Sequence, residues 1–290
     1  MKHSTAVTLV LIGLFLVSQF LGLWIVDLNK DAAASAEAGE PVLKDIKLWN
    51  TVIDRPEIEQ STSFIYIFIA VIIGTAIAFL LIRFRVFKLW KIWFFIAVWI
   101  TATISLQAFM ASIIATIVAV LLAAWKILKP NFVIHNLTEL LVYAGIAVIF
   151  VPVMNMLAAF ILLILISFYD AWAVWKSKTM IKLAKAQSKR KIFAGFLIPY
   201  SLPKRIPKGA KVVKKKVKTA VLGGGDIGFC LLFAATAWKT FGMAALIIPL
   251  FTTAALTYLL IMGKKDKFYP AMPYLTTGSF IGYLVLILIF

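Results

Sequence analysis

Three acidic residues, Glu139, Asp170 and Asp226, lie within long apolar stretches of the sequence. An ionised carboxyl group costs several kcal/mol at membrane depth, so such a residue needs a partner or a function. Two carboxyl groups held close together cannot both be charged, and they share one proton. One can then take a proton from water while the other polarises a carbonyl group. The chemistry that these residues could perform is acid–base hydrolysis.

The spacing of Asp170 and Asp226 from basic residues predicts that they lie at similar depth. Asp170 precedes Lys176 by six residues, which is roughly 9 Å of helix. Asp226 follows Lys218 by eight residues, which is roughly 12 Å of helix. Both lysines mark one predicted boundary. We therefore expect two carboxyl groups on separate helices to meet near the same face of a membrane.

The few histidines and the single cysteine limit other chemistries. His3 and His135 are the only histidines and form no His-x-x-x-His pair, which excludes a zinc protease of the HExxH kind. A Ser–His pair would depend on His135, which is far from any GxSG-like sequence. Cys230 alone cannot form an intrachain disulfide and is interpreted as a packing residue. We expect no metal and no cofactor.

The composition is that of an all-α integral membrane protein. Of 290 residues, 63% are hydrophobic and 14% are charged, and the mean hydropathy is +0.99. A soluble domain would carry about 25% charged residues. Apolar stretches of a length that crosses a bilayer recur along the whole chain. A β-barrel would need short alternating segments instead.

The charges are strongly polarised along the chain. Eight of the 12 acids lie between Asp27 and Glu59, whereas 15 of the 30 basic residues lie between Lys176 and Lys218. The positive-inside rule explains the net charge of +18 without a nucleic acid partner. It places loop 27–61 outside and loop 176–218 in the cytoplasm. The basic loop could bind anionic lipids, and the chain is expected in the cell membrane.

Apolar intervals and their flanking charges predict nine transmembrane helices, with a cytoplasmic N-terminus and the C-terminus outside. Each interval with basic residues at both ends should hold an even number of crossings. Residues 1–175 are thus a six-helix part, 176–218 a basic loop that its prolines make irregular, and 219–290 a three-helix part. Three single spans are predicted, at 6–26, 62–82 and 268–290. Three helical hairpins lie between them: 92–125 turns near Gln107, 130–175 turns near Pro152 and Asn155, and 219–263 turns near Lys239 and Gly242.

Three short motifs occur in order on the predicted helices. Residues 169–170 read Tyr-Asp, residues 223–226 read Gly-Gly-Gly-Asp, and residues 270–272 read Pro-Ala-Met. In these motifs the chain resembles the presenilin and signal peptide peptidase family, which carries Tyr-Asp, Gly-x-Gly-Asp and Pro-Ala-Leu on its sixth, seventh and ninth helices. The resemblance covers essentially the whole chain and is closest to archaeal presenilin homologues. Met272 departs from the family leucine, but its volume is similar.

The resemblance implies an intramembrane aspartyl protease that cleaves transmembrane segments of single-span proteins. The predicted orientation matches the presenilin branch, so substrates would have their N-termini outside. A substrate strand would pair with the segment that leads into the seventh helix. The implied catalytic residues are Asp170 and Asp226, the supporting residues Tyr169, Gly223 and Gly225, and the substrate-binding residues Leu222, Pro270, Ala271 and Met272.

Other interpretations remain open at this point. The same aspartates could serve an ion channel or a cation- or proton-coupled transporter, although the matched broken helices of such proteins are not visible. A prepilin-type peptidase also uses a Gly-x-Gly-Asp aspartate. A homo-oligomer stays open as well. Glu139 could be a third catalytic carboxyl, but Asn136-x-x-Glu139 is typical of a capping box at the start of the fifth helix.

Overall fold

The computed structural model describes residues 4–49, 51–55, 57–176, 193–200, 219–263 and 269–290. Helices dominate these ranges, which confirms the all-α class. Seven segments are long and apolar enough to cross a membrane; Gly224–Met262 holds two helices, and Ser112–Leu128 is a shorter apolar helix. The helices are α1 Thr5–Leu28, α2 Ala32–Ala38, α3 Ser63–Arg83, α4 Phe87–Leu106, α5 Ser112–Leu128, α6 Phe132–Phe150, α7 Met156–Trp175, α8 Gly224–Phe241, α9 Ile247–Met262 and α10 Met272–Ile289.

The helices end where the sequence predicts turns. Gln107 is the C-cap of α4, and Val151–Val153 forms a short 3-10 turn after α6. The Asn155 side chain then caps α7 by accepting a 2.8 Å hydrogen bond from the Ala158 N–H. Between α8 and α9, Gly242 has a φ of +54°, a conformation that favours glycine. All three predicted hairpins are therefore present.

The segment between α1 and α3 contains two small two-stranded sheets as well as α2. Lys30–Asp31 (β1) pairs with Val42–Leu43 (β2), and Ile46–Leu48 (β3) pairs with Thr51–Ile53 (β4). The Lys239 ammonium group donates a 3.3 Å hydrogen bond to Gln60 Oε1, so this segment contacts the far end of α8. Its location outside the membrane stays a prediction, as does the orientation of both termini.

Helix α8 lies in the centre of the packed core. Its side chains Leu231, Ala234 and Ala235 are fully buried. It packs against α1, α6, α7 and α10, so the helix that carries Asp226 is held from several directions. The buried face of α8 consists mostly of small and aliphatic residues, which lets neighbouring helices approach closely.

A two-stranded antiparallel sheet precedes α8. Gly195–Pro199 (β5) pairs with Thr219–Gly223 (β6), and Phe196 lies opposite Leu222. The prediction of an irregular 176–218 loop is therefore wrong for β5, because backbone pairing with a distant segment determines its conformation. The rest of that interval, 177–192 and 201–218, lies outside the described residues, together with the predicted lipid-binding role.

Candidate active site

Asp226 lies in the first turn of α8, directly after β6. The backbone N–H of Gly223 contacts its carboxyl group. The N–H groups of the first turn have no partner within the helix, so they can bind a carboxyl oxygen at this position. The change from strand to helix at Gly223 thus places a carboxyl group beside the end of an extended segment.

Asp170 lies near the C-terminal end of α7, and its side chain is buried. Its Oδ2 accepts a 3.1 Å hydrogen bond from the backbone N–H of Met272, and the N–H of Ala271 also contacts the carboxyl group. These two residues begin α10. Backbone groups of the Pro-Ala-Met motif therefore hold the Asp170 carboxyl group at a helix N-terminus.

The structure brings the two aspartates together. Helix α7 packs on α8, and the carboxyl groups of Asp170 and Asp226 are close enough to interact electrostatically. A pair of this kind can activate water and polarise a carbonyl group. In the described part of the chain, no group of three His, Cys, Asp or Glu side chains comes together that could hold a metal ion.

The three glycines before Asp226 differ in how crowded they are. A Cβ on Gly223 would lie 3.1 Å from Asp226 Oδ2, and one on Gly225 would make only an ordinary 3.6 Å contact with Phe229. A Cβ on Gly224 would lie 2.7 Å from the Tyr143 hydroxyl oxygen. Gly224 is thus the most constrained of the three, and the sequence motif, which leaves that position variable, did not predict its contact with Tyr143.

The other predicted site residues lie around the aspartates in different ways. The Tyr169 ring packs edge-on against Phe68 of α3, with ring centroids 6.5 Å apart. Leu222 is buried and pairs with β5 through its backbone. Met272 is buried too. The side chains of Leu222 and Met272 therefore pack in the core. The backbone of Leu222 pairs with β5, and the backbone N–H of Met272 bonds to Asp170.

Glu139 is not part of a capping box. Helix α6 begins at Phe132, and its cap is Asn131, whose side chain accepts a 2.9 Å hydrogen bond from the Val133 N–H. Glu139 lies in the helix interior and forms a buried ion pair with Lys126. It also accepts hydrogen bonds from the Tyr143 hydroxyl and, at 3.0 Å, from the Gly195 N–H. None of these partners is a backbone N–H at the start of α6. The capping-box interpretation of Asn136 and Glu139 is therefore wrong.

A cavity of about 540 Å³ opens beside the start of α8. It lies between α3, α4, α6 and α8, and most of its wall is apolar. On the α8 side, the wall includes Gly224, Gly225 and Gly228 beside Phe229 and Leu232. Because glycine has no side chain, the backbone of α8 next to Asp226 borders this space directly.

Comparisons with known proteins agree with this arrangement. The sequence profile described as signal-peptide peptidase and presenilin aspartyl protease matches residues 12–290. A solved presenilin family intramembrane aspartate protease in space group C222 is 20% identical, with a TM-score of 0.61 over 97% of this chain and 99% of that one. One in space group P2 is 18% identical, with a TM-score of 0.63 over 97% of each chain.

No curated protein matches the sequence. The predicted closeness to archaeal members stays a prediction, and neither the channel or transporter alternative nor the prepilin-type peptidase gains support from these matches. The family match covers nearly the whole chain, and the solved structures share its fold over almost their full length. The chain therefore belongs to the signal peptide peptidase and presenilin family of aspartyl proteases, and it is a multi-pass intramembrane aspartic endopeptidase.

Proposed function

We propose that the protein cleaves peptide bonds within transmembrane segments of single-span membrane proteins, with Asp170 and Asp226 as its catalytic pair. The observation that carries this proposal is the approach of the two carboxyl groups on α7 and α8. Backbone N–H groups of the Pro-Ala-Met motif contact Asp170, and the N–H of Gly223 contacts Asp226. An aspartyl protease site consists of two acidic side chains that interact with each other, and a pair of interacting acids in membrane-spanning helices fits this description.

In the proposed reaction, one carboxylate accepts a proton from a water molecule while the other carboxyl group donates a hydrogen bond to the scissile carbonyl oxygen. The water oxygen bonds to the carbonyl carbon and forms a tetrahedral intermediate. The C–N bond then breaks as the amine nitrogen takes up a proton from the pair. The hydrogen bond from Met272 to Asp170 would hold one carboxyl group in orientation throughout.

We propose that the substrate adds as a strand to the outer edge of β6. In an antiparallel pair, alternate residues direct their backbone groups toward the partner strand. The 3.0 Å hydrogen bond from the Gly224 N–H to the Ala194 carbonyl continues the pairing in which Leu222 faces Phe196. The N–H and carbonyl groups of Val221 therefore point to the opposite edge, where an extended peptide could pair with them.

This assignment refines the expectation of pairing near Leu222. The backbone of Leu222 is occupied by β5, so the proposed contact moves to its neighbour Val221. The edge ends at Gly223, three residues before Asp226. A peptide extended along β6 would thus run toward the aspartates, and its extended form would expose a peptide bond that a helix keeps hydrogen-bonded.

The apolar cavity beside α8 could receive the part of a substrate that is still helical. One helical turn, about 10 Å wide and 5.4 Å long, fills on the order of 400 Å³. The cavity of about 540 Å³ therefore holds little more than one turn. Its apolar lining suits the lipid-facing side chains of a transmembrane substrate. Single-span substrates with external N-termini, residence in the cell membrane and a homo-oligomer belong to this proposal as well.

The test is cleavage of a reporter transmembrane peptide by the purified protein in lipid vesicles. Asp170→Asn and Asp226→Asn should each abolish cleavage, and the double variant should be no worse, because residues that act as a unit are not additive. A transition-state inhibitor of aspartyl proteases should block the wild-type reaction. Thermal unfolding in detergent controls for folding of each variant.

An ion-flux assay in the same vesicles separates the transporter alternative. A transporter would move ions, lose that flux in the asparagine variants and leave the peptide intact. Substantial cleavage by either folded single variant would contradict the assignment of the pair.

A further inference from the structure

The outer edge of β5 is occupied by side chains of α6. His135 Nε2 forms a 2.8 Å hydrogen bond with the Gly195 carbonyl, and Glu139 accepts from the Gly195 N–H at 3.0 Å. Asn136 pairs with both backbone groups of Leu197, at 2.9 and 3.0 Å. We call these three side chains the α6 ladder. They satisfy every outward backbone group of Gly195 and Leu197, as a neighbouring strand would.

The ladder closes one edge of the sheet. Strand β5 is largely buried, and buried backbone groups without partners are costly, so β5 needs a neighbour on each side. The ladder supplies one neighbour and β6 the other. No further strand can add next to Gly195 and Leu197. Among the residues that the structure describes, the ladder therefore leaves the outer edge of β6 for a substrate.

Glu139 connects the sheet to the helix that carries Asp226. Its carboxylate binds the Tyr143 hydroxyl as well as Gly195. The Tyr143 ring packs edge-on against Phe196, with centroids 6.0 Å apart, and its hydroxyl lies against Gly224 at the start of α8. One carboxylate thus holds β5 directly and contacts the first turn of α8 through Tyr143.

The ion pair between Glu139 and Lys126 is buried. Glu139 and Lys126 are 1% and 3% exposed, and Lys126 also lies 5.1 Å from the centroid of the Phe94 ring. Replacing a buried ion pair with apolar residues of similar volume is often neutral or stabilising. A pair of this kind therefore suggests a role in geometry, in which Lys126 Nζ holds the Glu139 side chain in place for its bonds to Gly195 and Tyr143.

We propose that Glu139 is a positioning residue, whose carboxylate fixes the β5–β6 sheet relative to α8 and thereby sets which substrate peptide bond is cleaved. The proposal rests on the proposed protease function and on strand addition to β6. Because β5 pairs with β6 along its whole length, a small shift of β5 would displace β6 and the substrate paired with it relative to Asp226.

Two double variants test Glu139 with matched charge. Lys126→Met with Glu139→Gln removes the ion pair but keeps an amide oxygen that can accept from Gly195. Lys126→Met with Glu139→Leu removes the ion pair and every acceptor at that position. Both variants lose one acid and one base, and their side-chain volumes are similar. The difference between them isolates the hydrogen bonds of residue 139 from the buried charges.

Three measurements are made on both variants and on the wild type. They are the kcat and KM for a reporter transmembrane peptide in vesicles, the masses of the cleavage products, and hydrogen–deuterium exchange over residues 193–200. We expect the leucine variant to exchange at least about tenfold faster at β5, since a buried N–H has lost its acceptor. It should also cleave at least about tenfold more slowly and yield displaced products. The glutamine variant should stay within about threefold of the wild type and keep its products.

The exchange measurement does not depend on protease activity. Equal exchange in the two variants would overturn the anchoring of β5 by residue 139. Faster exchange with unchanged rates and products would overturn its effect on cleavage. If the wild type cleaves nothing, the protease proposal and the positioning role fail, while the exchange result still decides whether Glu139 anchors β5.

Discussion

The backbone N–H of Met272, 3.1 Å from Asp170 Oδ2, connects the start of α10 to the end of α7. The contact uses the main chain, so the identity of the residue matters less than the conformation of the segment. Met272 stands where the family has leucine, but a leucine at this position would offer the same backbone N–H to Asp170. The Pro-Ala-Met motif can therefore be tested by separating side chain from backbone.

Met272→Leu should keep cleavage within about threefold of the wild type, because similar-volume swaps of buried residues cost less than about 1.5 kcal/mol. Pro270→Ala should reduce kcat more, because it frees the backbone that places the Ala271 and Met272 N–H groups. Both variants are assayed with the reporter peptide after a check of thermal unfolding. Equal and complete loss of activity in both would show that the Met272 side chain itself is required.

The contact between Gly224 and Tyr143 predicts unequal effects of two alanine substitutions. Gly224→Ala places a methyl group 2.7 Å from the Tyr143 hydroxyl and should reduce cleavage about tenfold or more. Gly225→Ala makes only an ordinary contact and should reduce it less. Adding Tyr143→Phe to Gly224→Ala should restore part of the activity, because it removes the crowded oxygen. A larger loss at Gly225 would argue that the cavity wall matters more than this contact.

The outward backbone of Val221 predicts a specific effect of proline. Val221→Pro removes one N–H from the outer edge of β6, while pairing with β5 uses Ala220 and Leu222. We expect a rise in KM for the reporter peptide of about fivefold or more, whereas Val221→Ala should change it little. Hydrogen exchange over residues 193–200 should remain as in the wild type, which shows that the sheet is intact. A proline variant with normal KM would place the substrate elsewhere.

The charge asymmetry predicts the orientation in the membrane. Single cysteines placed in segments 27–61 and 176–218, in a Cys230→Ser background, should react with an impermeant thiol reagent from opposite sides. Cells and inverted vesicles give the two sides. Reaction of both segments from one side would reject the predicted nine-span orientation and, with it, the assignment to the presenilin branch.

Cleavage should depend on pH in a bell-shaped manner. A shared proton requires one charged and one neutral carboxyl group, so activity should fall when both are protonated and when both are ionised. The measurement is kcat/KM in vesicles across the pH range, with thermal unfolding followed in parallel. A flat profile over the range in which the protein stays folded would contradict the shared proton.

The sequence was sufficient to predict those features that depend on residues close to one another along the chain. The turns at Gln107, Asn155 and Gly242 follow from polar or flexible residues that interrupt apolar runs of helix length. The two aspartates could be paired from their spacing to basic boundaries. In each case the prediction uses residues that are close in sequence. The thickness of the bilayer gives the length that each helix must have.

Long-range contacts could not be predicted in this way. Strand β5 looked like part of an irregular basic loop, because its partners in α6 and β6 are distant in sequence. Glu139 matched a capping pattern by chance, since the helix begins at Phe132. Lys126 is one of the basic residues that flank the apolar interval 92–125, yet it is buried against Glu139. The roles of β5, Glu139 and Lys126 depend on contacts between residues that come together only in the folded structure.

The closed edge of β5 has a kinetic consequence. In the described part of the chain the sheet offers an incoming strand only the outer edge of β6, so two membrane proteins presented together would compete for it. A peptide that pairs with Val221 but resists hydrolysis should raise the apparent KM for a second substrate and leave its kcat unchanged. The enzyme would then discriminate among the proteins of its membrane by how readily each one unwinds, and an abundant poor substrate would slow the turnover of a rare good one.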